Sequence, residues 1–294
     1  MVINPKGVIA YLLLAFGIAW TCWEIPIRFL HLDVTSAQFQ LFALPGAFAP
    51  AIAALIVRAF SKDGWKDAKF RLPVSKWPYF LFALVLPLLI LPVMVVEAKA
   101  LGYLPAGFDL MQAVQGVVPA TGTPGQSIAA AQMAKLGALM IPALLLMAIV
   151  TTPILWGEEF GWRGYLQPRL LPGRPVAQAI VTGIIWSAWH WPLILRGYDY
   201  GHDQAVMGCV ALTVGAILFS FIFGWLVERT GSIWSSSLAH AATNGVGGSI
   251  SAYWFASAHN DVVMSYAGAL AWPPMLVVCL LILLFGRRKT VAGP

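Results

Sequence analysis

Two adjacent carboxylates, Glu158 and Glu159, open the stretch EEFGWRGYLQPRL at the end of a long apolar run. An ionised acid is expensive near hydrocarbon, so acids inside apolar spans are functional candidates from the start. Arg163 follows Glu159 by four residues, one helical turn, in the Glu-before-Arg order that favours an ion pair. This pattern makes Glu158 the reactive acid and leaves Glu159 and Arg163 as an orienting pair. His190 stands in WSAWHWP, with Trp186 one turn earlier and Trp189 beside it, so an aromatic wall is expected to hold the imidazole and line a substrate path. His240 and Asn244 are four apart and share one helix face. A His and an Asn within an apolar span are costly unless something polar faces them.

Together these residues suit hydrolysis without a Ser or Cys nucleophile. Glu158 acts as general base on a water, with His190 holding that water or taking its proton. His240 and Asn244 supply hydrogen bonds to the oxyanion that develops on a scissile carbonyl. The same Glu158, His190 and His240 form the ligand set for the alternative, a zinc ion bound as in His₂Glu hydrolases. No HExxH is present, and an amide such as Asn244 is a poor zinc ligand, so the expectation is a reaction with no metal cofactor.

The elements that carry these groups must be membrane spans. The 294 residues are 60% hydrophobic and 10% charged, far below the charge of about 25% usual in soluble domains. The net charge of +6 points to membrane topology rather than nucleic acid, because the basic residues sit in short loops. Cys22, Cys209 and Cys279 are far apart within apolar segments and read as small core residues. The first apolar run starts at Val8 and reads as a retained span rather than a cleaved leader.

Eight spans of about 20 apolar residues are expected. They are Val8–Trp23, Leu41–Phe60, Pro78–Val96, Leu136–Leu171, Val176–Leu195, Val206–Val227, Ser232–Phe255 and Ala267–Phe285. The fold class is therefore all-α, a polytopic membrane helix bundle of about eight transmembrane helices in a single domain over 1–294. The fourth segment is too long for a straight crossing, roughly 50 Å at 1.5 Å per residue against a core of about 30 Å. Pro142 and Pro153 are expected to kink it. Counted from the presumed inner ends of their helices, Glu158 and His190 lie about 17–20 Å up and His240 about 12 Å, depths close enough to meet.

With the N-terminus inside, fourteen of the eighteen Lys and Arg fall on the inner side, and only Arg28, Lys99, Lys135 and Arg196 fall outside. This bias places both termini in the cytoplasm and the protein in the cell membrane as a multi-pass protein. The segment Ser61–Trp77 mixes Lys with Trp65, Phe70 and Trp77 and suits an anionic headgroup interface, making membrane lipids expected partners. The outer segment 98–134 contains the turn-rich PATGTPG and carries no chemistry. His31, His202 and His259 read as solvated loop histidines.

The order EExxxR, then an aromatic followed by His four residues on, then HxxxN, resembles the CPBP family of intramembrane proteases, which includes type II CAAX prenyl endopeptidases and Abi-like proteins. The matching residues are Glu158, Glu159 and Arg163, then Trp186 and His190, then His240 and Asn244, within a core of about 145–250. Trp186 stands where the family's usual description has Phe. The resemblance implies peptide-bond hydrolysis inside the membrane, on membrane-associated or lipidated peptides such as prenylated CAAX substrates, with metal dependence described for part of the family. Two other classes share the polar cluster: a catalytically silent peptide-binding or immunity protein, and a transporter. A transporter would show matching halves or paired broken helices, and the sequence has neither.

Overall fold

The computed structural model describes residues 5–61, 64–104, 130–255 and 260–286, with backbone alone for 130–138. Among these residues every regular element is helical. The helices are α1 (Pro5–Phe29), α2 (Ala37–Ala47), α3 (Ala49–Phe60), α4 (Trp77–Ala100), α5 (Ala130–Gly161), α6 (Gln167–Arg169), α7 (Pro175–Ile194), α8 (Ala205–Thr230), α9 (Ile233–Ala242), α10 (Ser249–Trp254), α11 (Asp261–Met264) and α12 (Trp272–Phe285). Two π-helical turns, Trp162–Leu166 and Thr243–Gly248, interrupt this series.

Six stretches are long and apolar enough to cross a membrane: Pro5–Phe29, Ala37–Phe60, Val74–Ala100, Leu139–Arg169, Ala205–Thr230 and Asp261–Phe285. The protein is a multi-pass membrane bundle. The remaining two expected spans are present as α7 and as the chain α9, π-turn, α10, but neither is among the six. Polar side chains dilute their apolar content: α7 carries Gln178, Thr182, Ser187 and His190, and the last chain is rich in Ser, Gly, His and Asn. These two are the helices that bring the histidines.

The bundle is apolar outside and polar within. Leu13, Phe60, Val150, Val206 and Leu284 stand exposed, whereas Arg58, Glu158, Glu159, Arg163, Arg169 and His240 are buried. Lipid offers no partners to polar groups, so they must satisfy one another inside. Close approach makes this possible. A Cβ on Gly183 of α7 would lie 2.5 Å from the Ile217 Cα of α8, so only glycine allows those two helices to meet at that point.

Several boundaries differ from the sequence expectation for local reasons. The second span is two helices, broken at Phe48 between Pro45 and Pro50. The fourth runs as one helix, α5, through Pro142 and Pro153, and an irregular turn follows at Trp162–Leu166. Between α8 and α9, Gly231 takes a left-handed conformation (φ 68°) and Ser232 caps the next helix by accepting from the Trp234 amide. The PATGTPG stretch and His259 lie outside the described residues. His31 and His202 are exposed, as expected of loop histidines, and the three cysteines are free thiols.

Ser61–Trp77 is tied to the bundle rather than lying loose along it. Arg58 donates to the Gly64 and Gly164 carbonyls and to Asp67 Oδ1, while Arg169 reaches Asp67 Oδ2 at 2.9 Å. Phe70 stacks on Trp156 and Phe160, its carbonyl accepts from the Trp234 indole, and the Lys69 carbonyl accepts from the Ile233 amide.

Candidate active site

The two glutamates, one residue apart, face different partners because successive helical residues diverge around the axis. Glu159 is fully buried, and its Oε1 accepts from Arg163 Nη1 at 2.7 Å and from His240 Nδ1 at 3.1 Å. Glu158 is 6% exposed, lines a cavity, and accepts from the Trp186 indole at 3.0 Å through Oε2. The expected i,i+4 pair of Glu159 and Arg163 is present. It is anchored further by Arg163 Nη2 donating to Ser220 Oγ of α8 at 3.0 Å. The guanidinium also sits over the Trp186 ring at 4.3 Å and the Phe223 ring at 5.1 Å.

Arg163 lies in the first π-turn, and His240 lies just before the second, which holds Asn244. Single π-turns inside α-helices commonly occur at functional sites because they redirect side chains locally. Thus two of the three motif-bearing helices, those with EExxxR and HxxxN, deform beside the cluster.

The histidines are held by opposite means. His190 Nδ1 is 3.0 Å from the Trp186 carbonyl, which can only accept, so this nitrogen carries the proton and Nε2 of the neutral ring is a bare acceptor. The Trp189 ring meets His190 edge-on at 4.7 Å, and the Trp189 indole donates to the Ala15 carbonyl of α1, fixing that wall. His240 donates through Nδ1 to Glu159, and its ring is edge-on to Trp186 at 5.1 Å. It pairs with Glu159, the acid assigned to orientation, so the carboxylate–imidazole contact belongs to a different glutamate from the one at the cavity wall.

One cavity of about 760 Å³ receives Glu158, Trp186, Trp189, His190, His240 and Asn244 together. The predicted residues from the fourth, fifth and seventh spans therefore converge. Glu159 and Arg163 lie behind that wall. Sequence reasoning missed Ser220, whose type and position in an apolar helix give no signal by themselves. It also missed the indole donor of Trp186, assigned there only to substrate lining. The departure from Phe at this position supplies the signal, because only Trp has an N–H to donate.

Among the described residues, no group of three or more His, Cys, Asp or Glu is arranged to hold a metal ion. Glu158, His190 and His240 share a cavity but do not form such a set.

The sequence model of the Rce1-like family, described as type II CAAX prenyl endopeptidase Rce1-like, matches residues 138–246. A protein from Methanococcus maripaludis named CAAX prenyl protease 2 is 29% identical over 205 residues, covering 68% of this chain and 66% of that protein. The chain thus aligns with just under two thirds of that relative's length. Over residues 138–246, which hold both glutamates, both histidines and Asn244, the chain is similar to the Rce1-like type II CAAX prenyl endopeptidases, the family its three spaced motifs resemble.

Proposed function

We propose that the protein is an intramembrane endopeptidase acting on membrane-held peptides, with prenylated CAAX-type chains as the substrate class to try first. The observation that carries this reading is the convergence of Glu158, His190, His240 and Asn244, from three separate spans, on one cavity. Such polar groups are costly in an apolar bundle without a task.

A water between Glu158 and the bare Nε2 of His190 gives up a proton to the carboxylate as its oxygen attacks the scissile carbonyl. The C–O bond forms and the carbonyl becomes an oxyanion. Asn244 donates its amide N–H to that oxygen. His240, whose Nδ1 proton is committed to Glu159, can donate only from a protonated Nε2, as an imidazolium. Collapse of the intermediate breaks the C–N bond, and the proton held by Glu158 passes to the leaving nitrogen. The water is activated by side chains alone in this reading, and no step is routed through zinc.

The test is cleavage of a prenylated CAAX peptide by purified protein in detergent, read by product mass. Wild-type protein should cleave and Glu158→Gln should not, with unchanged melting. Binding without cleavage by the wild type favours the silent peptide-binding reading, which the same cavity also suits.

A further inference from the structure

Arg58 of α3 has no part in the mechanism above, yet its side chain is fully buried. Its guanidinium divides between two tasks. Nη1 donates to the Gly64 carbonyl and to Asp67 Oδ1, both at 2.6 Å, and ties down the 64–72 segment. Nη2 donates to the Gly164 carbonyl at 2.9 Å, in a buried contact.

Gly164 directly follows Arg163 inside the first π-turn, where the Gln167 amide bonds to the Trp162 carbonyl, five residues back. In an α-helix the Gly164 carbonyl would receive the amide of residue 168. That residue is Pro168, which has no N–H. The sequence therefore places a buried carbonyl without an α-helical donor one residue past the arginine that holds Glu159. An unpaired buried carbonyl is costly enough to loosen a turn. Arg58 supplies the missing hydrogen from another helix.

The surroundings fix that hydrogen bond. The guanidinium carbon lies 5.3 Å from the Tyr165 ring and 5.9 Å from the Phe160 ring. Gly164 also lets the start of α9 come close, since a Cβ there would stand 2.8 Å from Ile233 Cδ1. The π-turn, the 64–72 segment and the helix that carries His240 therefore meet at one junction beside Arg58. Towards α8 the turn is held by Arg163 Nη2 on Ser220 Oγ and by Gln167 Nε2 on the Ser220 carbonyl at 3.1 Å. Arg58 holds it from the side of α3.

We infer that Arg58 is a positioning residue for the catalytic cluster. Through the Gly164 carbonyl it keeps the π-turn in the register that aims Arg163 at Glu159, and Glu159 in turn sets the His240 ring. The effect on turnover rests on the protease reading of the site; the effect on the turn does not. Neither Arg58 nor Gly164 lines the cavity, so the loss falls on kcat rather than on substrate binding.

Three variants separate this task from plain stabilisation. Arg58→Met removes both sets of contacts. Asp67→Asn weakens the tie to the 64–72 segment and leaves the Gly164 contact in place. Arg58→Met/Pro168→Ala gives residue 168 an N–H, so the backbone itself pairs with the Gly164 carbonyl. Pro168→Ala alone is the reference for the double variant. Kinetics are measured on a prenylated CAAX peptide, per folded molecule, in detergent, with amide hydrogen exchange of residues 162–167 followed in parallel. Arg58→Met should lose at least about tenfold in kcat, with KM nearly unchanged, and exchange in the turn should accelerate by at least about tenfold. Asp67→Asn should melt lower yet keep wild-type kcat and exchange. The double variant should regain most of both.

Equal losses of kcat in Arg58→Met and Asp67→Asn, a loss carried by KM, or a double variant no better than Arg58→Met overturns the inference. Should Arg58→Met fail to fold, the double variant decides: turnover close to that of Pro168→Ala upholds the route through Gly164, and a loss of about tenfold or more overturns it. No cleavage by the wild type removes the protease reading alone, and the exchange comparison still decides whether Arg58 holds the turn.

Discussion

His240 Nδ1 lies 3.1 Å from Glu159 Oε1, on the same oxygen that Arg163 Nη1 approaches to 2.7 Å. One buried carboxylate oxygen therefore joins the fourth and seventh spans and sets the angle of the imidazole, while the neighbouring Glu158 is left to the cavity.

This arrangement separates the two glutamates experimentally. Glu158→Gln keeps the acceptor for the Trp186 indole and should abolish turnover with little change in melting temperature. Glu159→Gln leaves the Arg163 guanidinium buried without its counter-charge, which typically costs about 3–5 kcal/mol. Thermal unfolding in detergent should show a large drop for Glu159→Gln and almost none for Glu158→Gln. Equal drops would show that both acids are structural.

Trp186→Phe keeps the aromatic wall and removes the indole N–H donor to Glu158. A hydrogen bond to a charged group contributes about 1.5–3 kcal/mol, so turnover should fall by roughly tenfold or more while substrate KM changes little. Steady-state kinetics with one peptide substrate decides it. A fall carried entirely by KM would return Trp186 to a purely lining role.

Arg58 has a fully buried side chain that serves Gly64, Gly164 and Asp67 at once. A lysine lacks the planar fork needed for these partners, so Arg58→Lys should destabilise nearly as much as Arg58→Gln, by about 3 kcal/mol. Asp67 lies in the 64–76 connection. Burial pushes its carboxyl up, but Arg58 and Arg169 prevail and hold it below the usual carboxylate range. Its contribution to stability is then complete above the ordinary value and is lost as pH falls through the depressed one. Melting curves of wild type and Asp67→Asn should therefore converge in strong acid.

In the α7–α8 connection the sign reverses. Although Asp199 is solvent-accessible, the protein packed around its carboxyl, together with the nearby Asp261 carboxylate, pushes it up to about 6 from its usual 3.8. Between those values the folded loop binds more protons than the unfolded chain, so its stability is greatest in acid and declines as pH rises through 6. Hydrogen exchange of the α7–α8 connection, corrected for intrinsic base catalysis, should show looser protection at pH 7.5 than at pH 5. Asp199→Asn should remove that difference, and a step of the same size in the variant would assign it to another group.

Metal dependence has its own measurement. Purified protein should retain cleavage after chelation and carry no stoichiometric zinc. Zinc at one per chain, with activity lost to chelator and restored by zinc, would defeat the mechanism proposed for Glu158.

The amino-acid sequence determined the membrane class, the helical fold, and the candidate residues. Apolar runs of span length leave few other solutions, and Glu158, Glu159, Arg163, His190, His240 and Asn244 stand out because polar groups in such runs are expensive. It also set the Glu159–Arg163 pair, since a four-residue spacing on a helix is a local distance. Only the tertiary structure decided which glutamate holds His240, that Ser220 of α8 anchors Arg163, and that the Trp186 indole reaches Glu158. Those contacts depend on the rotation and depth of one helix against another. That in turn follows from where glycines such as Gly183 let backbones approach and where π-turns redirect side chains, and no spacing within a single helix encodes it.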